Sequence, residues 1–187
     1  MHNPLKERRA GILLHPTSLP EEPGHGGLGR QALRFVDFMA ECGFTVWQTL
    51  PLGPTHTDGS PYQCLSIHAG NPELICLQDL VIRGWLDHTG GGLRRCVAAA
   101  LEGFQRRAGE ADRSSWSEFQ ETHRSWLPDY AHYQTIRQLQ QGAPWYEWPA
   151  GFRNRDPGVL ARLEREYAAA IEQVCFAQYI FFEQWHA

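Results

Sequence analysis

The chain has no long hydrophobic run near its start, no paired-cysteine motif and no basic stripe, and each absence removes a class of protein. The opening Met-His-Asn-Pro-Leu-Lys-Glu-Arg-Arg carries charge, but the apolar run after it, Gly11-Ile-Leu-Leu14, is too short for a signal peptide or a membrane span. The expectation is a cytoplasmic protein with no membrane partner. A formal net charge of −4 argues against a nucleic-acid partner, which calls for concentrated Lys and Arg. The five cysteines (Cys42, Cys64, Cys76, Cys96 and Cys175) are odd in number and widely spaced, which suits free thiols in a reducing compartment. Cys64 and His68 stand four apart with His56 nearby, but a tetrahedral metal site needs a fourth ligand and none lies at a sensible spacing, so no metal is expected. Gly24, Gly26, Gly27 and Gly29 do not follow directly on a strand, as a dinucleotide fingerprint requires. Paired carboxylates are also scarce. Asp37 and Glu41 are spaced i, i+4 on a helix, where a solvated face is the ordinary reading.

Apolar residues make up 42% of the chain, enough for a core and too many for a disordered polymer. Ala10 to Leu14 reads as a short buried strand, ended by His15-Pro-Thr-Ser-Leu-Pro20 because proline disfavours helix at and before its own position. Gln31 to Cys42 is an amphipathic helix with Ala32, Phe35, Val36 and Met39 on one face and Gly43 as its stop. Thr45 to Leu50 is the next strand. Strand, helix, strand with short links predicts a βαβ unit with parallel strands. Ile75 to Leu86 is apolar and of ambiguous type.

Beyond Gly90-Gly-Gly92 the pattern is helical. Leu93 to Gln105 puts Val97, Ala100, Leu101 and Phe104 on one face. Ser115-Trp-Ser-Glu118 fits a capping box and predicts a helix start there, with a restart near Pro128 that runs to Leu139. Asp156-Pro157 predicts another start, leading into one long last helix. Its end, 174–185, is apolar nearly all round and calls for cover on several sides. Left exposed, it would be a surface for self-association. Two strands followed by a helical block cannot complete an α/β sheet or barrel, so the chain reads as the front part of something larger.

The loop after the second strand carries the densest signal. Pro51-Leu-Gly-Pro-Thr-His-Thr-Asp-Gly-Ser-Pro-Tyr-Gln63 and Ala69-Gly-Asn-Pro72 combine shape-fixing Pro and Gly with hydrogen-bonding side chains around one aromatic ring. That is suitable equipment for a polar ring such as a sugar. Together with Gly11-Ile-Leu-Leu-His-Pro-Thr-Ser-Leu-Pro20, Trp47-Gln-Thr-Leu-Pro-Leu-Gly-Pro-Thr55 and Phe181-Phe-Glu-Gln-Trp185, these segments resemble amylomaltase, the 4-α-glucanotransferase of glycoside hydrolase family 77. The similarity runs from about residue 8 to the last residue.

The resemblance implies an α/β fold: the N-terminal part of a TIM-type (β/α)8 barrel with an inserted, mainly helical subdomain, the barrel being incomplete in this chain. Residues 1–86 would hold the first barrel strands and the substrate loop. Residues 87–187 would form the helical insertion and lead into an unfinished barrel helix. The resemblance further implies transfer of α-1,4-glucan segments through a covalent glycosyl-enzyme, without a cofactor. Retaining chemistry of this kind needs two carboxyl groups about 5 Å apart. By resemblance those carboxylates lie beyond Ala187, so no catalytic residue is assigned, and the isolated chain is expected to be inactive and prone to aggregate through unpaired edges and apolar faces.

What remains is substrate binding. By resemblance Tyr62 stacks on a glucose ring and Ser60 touches a hydroxyl, while Gln63 and Asn71 fix the loop. Asp58 could hydrogen-bond a sugar hydroxyl but cannot supply both catalytic roles. The sequence also departs from the family pattern: Gly-Tyr-Gly-Asp is replaced by His56-Thr-Asp-Gly59, and aromatic positions become Cys64-Leu65, His68 and Glu73. The alternative from another class is a non-catalytic maltodextrin-binding or regulatory protein built from the family's front half.

Overall fold

The computed structural model describes residues 8–20 and 26–187. Gly24 and the charged N-terminal residues up to Glu7 lie outside the described residues. Strand β1 is Gly11–Leu13, helix α1 Arg30–Glu41 and strand β2 Val46–Gln48. The two strands pair in parallel, with Gly11 against Val46, Ile12 against Trp47 and Leu13 against Gln48. The βαβ topology therefore holds, but β1 is not the buried strand expected: Gly11 and Leu13 are exposed and Ile12 is half-buried. Gly11 allows the close approach, because a Cβ there would meet the backbone oxygen and the Cβ of Val46. Gly43 ends the α1 turn at φ +78°, a conformation glycine adopts without steric cost. Trp47 fixes the pair from the side: its indole N–H donates to the Leu14 carbonyl at 2.8 Å, and its ring meets Phe35 of α1 edge-on at 5.1 Å. Asp37 and Glu41 are exposed, as their spacing suggests.

The remaining helices are α2 Leu77–Ile82, α3 Leu93–Arg107, α4 Glu110–Thr122, α5 Leu127–Leu139, α6 Ala150–Arg153, α7 Pro157–Glu166 and α8 Ala168–His186. The ambiguous segment 75–86 resolves as the short helix α2 and a turn through Gly84. Asp156 caps α7 as expected, accepting from the N–H groups of Gly158 and Val159 at 2.9 and 3.0 Å.

Two sequence expectations are corrected. Helix α4 begins five residues before Ser115, because Asp112 reaches back to the Gly109 N–H at 3.1 Å and supplies the cap itself. Ser115 lies inside the helix, where its hydroxyl donates to Glu183 of α8 at 3.2 Å. The last helix is not continuous either. It breaks at Tyr167, whose carbonyl accepts from both Ala170 and Ile171 to start α8 afresh, with neither proline nor glycine to announce it.

A third correction concerns 174–185. This segment is not an exposed surface. Cys175 through Phe181 are all buried, and α8 is the helix on which α3, α4, α5 and α7 pack. A helix that is apolar all round takes the central position, since only there are all its faces covered. Within 174–185 Trp185 alone is exposed, at 40%, while Leu13, Val46, Leu33, Val36 and Phe38 on the strand pair and α1 are also exposed large apolar side chains. The main core joins Leu74, Leu80, Trp85 and Leu86 to Ala100, Phe104, Phe176 and Ile180, so it draws on residues from both sides of position 86.

Burial also sets the acid–base chemistry of the core. Burial, with Glu172 beside it, pushes the Cys175 thiol up to about 12, so this cysteine stays a neutral, inert packing group. His123 sits among Phe119, Trp126 and Phe182, and its Nδ1 accepts from the Trp126 indole N–H at 3.1 Å. That bond requires an unprotonated Nδ1. Desolvation, and after it the neighbouring His186, lower the His123 pKa below its usual 6.5. The unfolded chain then takes up this proton first. Stability is expected to fall as pH drops through 6.5 and to go on falling until the lowered folded value is passed. Thermal melts at pH 7.5 and 5.5 check this, and His123→Gln should flatten the difference.

Candidate functional site

The loop between β2 and α2 is ordered by its own hydrogen bonds. An antiparallel bridge joins Thr55 to Cys64, and the Leu65 N–H donates to the Pro54 carbonyl at 2.8 Å. Between these ties the tip turns through Gly59 at φ +68°. Asp58 Oδ1 accepts from the Ser60 N–H at 3.1 Å, and the Gln63 N–H donates to the Ser60 carbonyl at 3.3 Å. Tyr62 stands on this tip with 74% of its surface exposed. Lower down, Ser66 Oγ accepts from the N–H groups of His68 and Ala69. His68 stacks on Trp126 at 5.9 Å, which fastens the loop to the start of α5. Asn71 Oδ1 accepts from the Glu73 N–H at 3.1 Å and caps a short turn, while its own N–H donates to the Leu52 carbonyl at 2.7 Å.

Behind this loop lies a cavity of about 650 Å³. Its walls are the loop from Pro54 to Glu73, the first turns of α3, one face of α5 and the first half of α8. The lining is rich in carboxamides: Asn71, Gln134, Gln138, Gln141, Gln173 and Gln178, with Arg94, Arg137 and Tyr130 among them. Burial pushes the Tyr130 hydroxyl up to about 12, so it remains a neutral donor. Among the described residues Glu73 is the one carboxylate in the lining. Carboxamides and a phenol can donate and accept toward hydroxyl groups without a charge of their own. One carboxylate cannot run a two-carboxylate displacement. Gln134, Gln138, Gln141 and Tyr130 offer neutral hydrogen-bonding groups, Arg94 and Arg137 add positive charge, and the lining does not bring together two carboxyl groups.

The site residues expected from the sequence divide in two. Asn71 lines the cavity and also fixes the loop. Asp58, Ser60, Tyr62 and Gln63 belong to the tip and are absent from the lining. His56, Cys64 and His68 do not converge. Cys64 donates to the Pro61 carbonyl at 3.1 Å, His68 faces Trp126, and no group of three or more His, Cys, Asp or Glu side chains gathers among the described residues. The α5 face was missed, although Tyr130, Gln134, Arg137 and Gln138 recur at helical spacing, with Gln141 just past the helix end, and were open to reading as a polar stripe.

Comparison with known sequences gives this site its setting. The model of one family, described as 4-alpha-glucanotransferase, matches residues 14–187. The chain belongs to this family. It is 37% identical to a 4-alpha-glucanotransferase of Thermus thermophilus over 194 residues, covering 96% of this chain and 39% of that one. It is 38% identical to the corresponding protein of Aquifex aeolicus over 189 residues, covering 95% and 39%. In structure it is similar to an amylomaltase from Streptococcus agalactiae in complex with acarbose, with a TM-score of 0.85 and 29% identity, covering 96% of this chain and 40% of the other. The chain thus spans about two fifths of the length of the relatives it matches. Among the described residues no helix is long and apolar enough to cross a membrane.

Proposed function

We propose that this chain is the front section of a cytoplasmic 4-α-glucanotransferase and supplies part of its glucan-binding wall. The catalytic carboxylates come from the remaining three fifths of the family's length. In this reading β1 and β2 are the first strands of a (β/α)8 barrel, and the helices from α3 onward are its insertion. The observation that carries the reading is the carboxamide-lined cavity beside the Tyr62 tip, present in a chain that belongs to this family and holds one carboxylate in that lining. Glucan enters along the loop: Tyr62 offers an aromatic face to a pyranose ring, and Ser60 with Asp58 meets hydroxyls. Acarbose bound to the related amylomaltase supports a ligand of this kind.

The test is incubation of the purified 187-residue chain with maltotriose. Alone it should yield no ladder of longer and shorter glucans. Adding the missing section of a relative as a separate chain should yield one. A ladder from the chain alone would overturn the division of labour.

Tyr62→Ala should weaken maltoheptaose binding about three- to tenfold, the worth of one aromatic stack, as read by titration calorimetry. An unchanged affinity removes Tyr62 from the site.

One observation favours a second reading, a non-catalytic maltodextrin-binding or regulatory protein. Helix α8 is covered within the chain itself, which gives the short chain its own core. A cooperative melt that shifts with maltodextrin, with no transfer after the missing section is added, would favour that reading.

A further inference from the structure

Two glutamines of α8 treat the substrate loop in the same way. Gln178 Oε1 accepts from the Gly70 N–H at 2.8 Å and its Nε2 donates to the Gly70 carbonyl at 3.0 Å. Six residues on, Gln184 Oε1 accepts from the Cys76 N–H at 2.8 Å and its Nε2 donates to the Cys76 carbonyl at 3.0 Å. Each carboxamide thus exchanges both hydrogen bonds with one backbone residue, as a residue of a neighbouring strand would. The spacing is six residues on the helix and six on the loop, so the segment runs alongside α8 in fixed register. The two pairs differ in setting. Gln178 is wholly buried and lines the cavity. Gln184 is half-buried and also donates to Asp79 at 3.3 Å.

Gly70 lies between the gripping Gln178 and Asn71, both of which line the cavity. It directly precedes Asn71, whose N–H holds Leu52 at the other end of the loop. The Gly70 amide and carbonyl are buried, and an unpaired buried backbone group is costly. Gln178 is placed to answer both from α8.

We infer that Gln178 is a positioning residue for ligand binding: its carboxamide stands in for a missing strand and sets the place of Gly70, Asn71 and the loop tip against the cavity. Its consequence for glucan rests on the function proposed above, while the grip itself can be tested without any ligand. The chemistry needs one donor and one acceptor on the same planar group. A glutamate has that pair only when protonated. Ionised, it still accepts from the Gly70 N–H but opposes the Gly70 carbonyl. Burial and the facing Gly70 carbonyl both favour the protonated form, so ionisation is displaced upward and the grip is released only at alkaline pH.

The experiment is hydrogen exchange by NMR on the whole chain carrying Gln178→Glu, with protection factors compared at pH 9.5 and 4.5. At pH 9.5 Gly70 protection should fall about 10- to 100-fold, and at pH 4.5 it should return toward that of the parent chain. The other ionisable groups around the cavity are His56 and Glu73 on the loop, Arg94 on α3, and Tyr130 and Arg137 on α5. The parent chain measured at both pH values controls for them. Gln184→Glu should show the same reversal at Cys76 and leave Gly70 protected, which keeps the inference testable if the buried variant folds poorly. Protection unchanged at pH 9.5, or lost equally at both pH values, overturns it. Maltoheptaose affinity, measured on the same samples, should follow Gly70 protection. A pH-reversible grip in a chain that binds no maltoheptaose upholds the positioning of the loop and overturns the glucan reading instead.

Discussion

Gly70→Ala is expected to destabilise the chain by about 3 kcal/mol, at the top of the usual range for overpacking. The cause is not backbone conformation. A Cβ at this position would fall inside the ring of Phe181, overlapping three of its carbons. Phe181 cannot swing aside, because it is 3% exposed and set edge-on against Phe182 at 5.3 Å. The loop must therefore lift, and lifting it breaks both hydrogen bonds to Gln178. Denaturant unfolding monitored by tryptophan fluorescence measures the loss. The double variant Gly70→Ala with Phe181→Ala isolates the cause, since the new methyl would occupy space the ring has left. Costs that are strongly non-additive, with the pair less damaged than the sum of the singles, identify the contact. Additive costs would mean that the loop and α8 do not meet in this way.

How far the fold was readable depends on which interactions set each element. The parallel strand pair and α1 follow from local pattern: a short apolar run, a helical period ended by Gly43, and a second apolar run. The start of α7 follows from Asp156 and Pro157, whose cap is purely local. Where a local signal had a competitor, the sequence misled. Ser115-Trp-Ser-Glu118 has the form of a cap, but Asp112 claimed the role earlier, and Ser115 was left for Glu183 in another helix. The break at Tyr167 leaves no compositional trace, because it comes from hydrogen bonds that restart a helix and not from a residue that forbids one. The all-apolar helix was recognised as needing cover. That its cover is the preceding helices was not visible, since residue spacing does not say which faces meet.

The site was legible to the same degree. Its family membership shows in the motifs of the loop and the first strand. The loop tie through Asn71 was read from the sequence and follows from the habit of Asx side chains of bonding to the backbone two residues on; the same tie at Asp58 was not read, since a sugar hydroxyl was expected as its partner. The cavity was not legible, because its walls come from α3, α5 and α8, far apart along the chain. Nor was Gln178, which sits between Ala177 and Tyr179 in an apolar stretch. A carboxamide flanked by apolar residues on both sides is a signal in hindsight. Its burial cost requires a partner with both a donor and an acceptor, and a backbone residue without a neighbouring strand supplies both.

The second large effect is expected at Phe176. It is 0% exposed, and its ring lies 5.1 Å from that of Phe104, 5.8 Å from Trp116 and 5.9 Å from Tyr179. Truncation to alanine removes this large apolar group and leaves a void that four packed rings cannot close, at a cost of about 3–5 kcal/mol. In a chain of this size that should lower the Tm by about 10 °C. The pattern of the loss matters more than its size. Trp85 also packs against Phe176, at 6.3 Å, and belongs to the turn after α2, on the loop side of position 86. If the segments on either side of that position are separate folding units, Phe176→Ala should uncouple two transitions and leave protection in the loop nearly intact. If one core serves both, the melt stays single, and amides of Leu28, Leu74 and Gly70 lose protection together with those of α3 and α8. The shared cluster of Leu74, Leu80 and Trp85 with Phe104 and Phe176 argues for the second outcome. The loop that would meet glucan then draws its rigidity from the same core as the helices behind it.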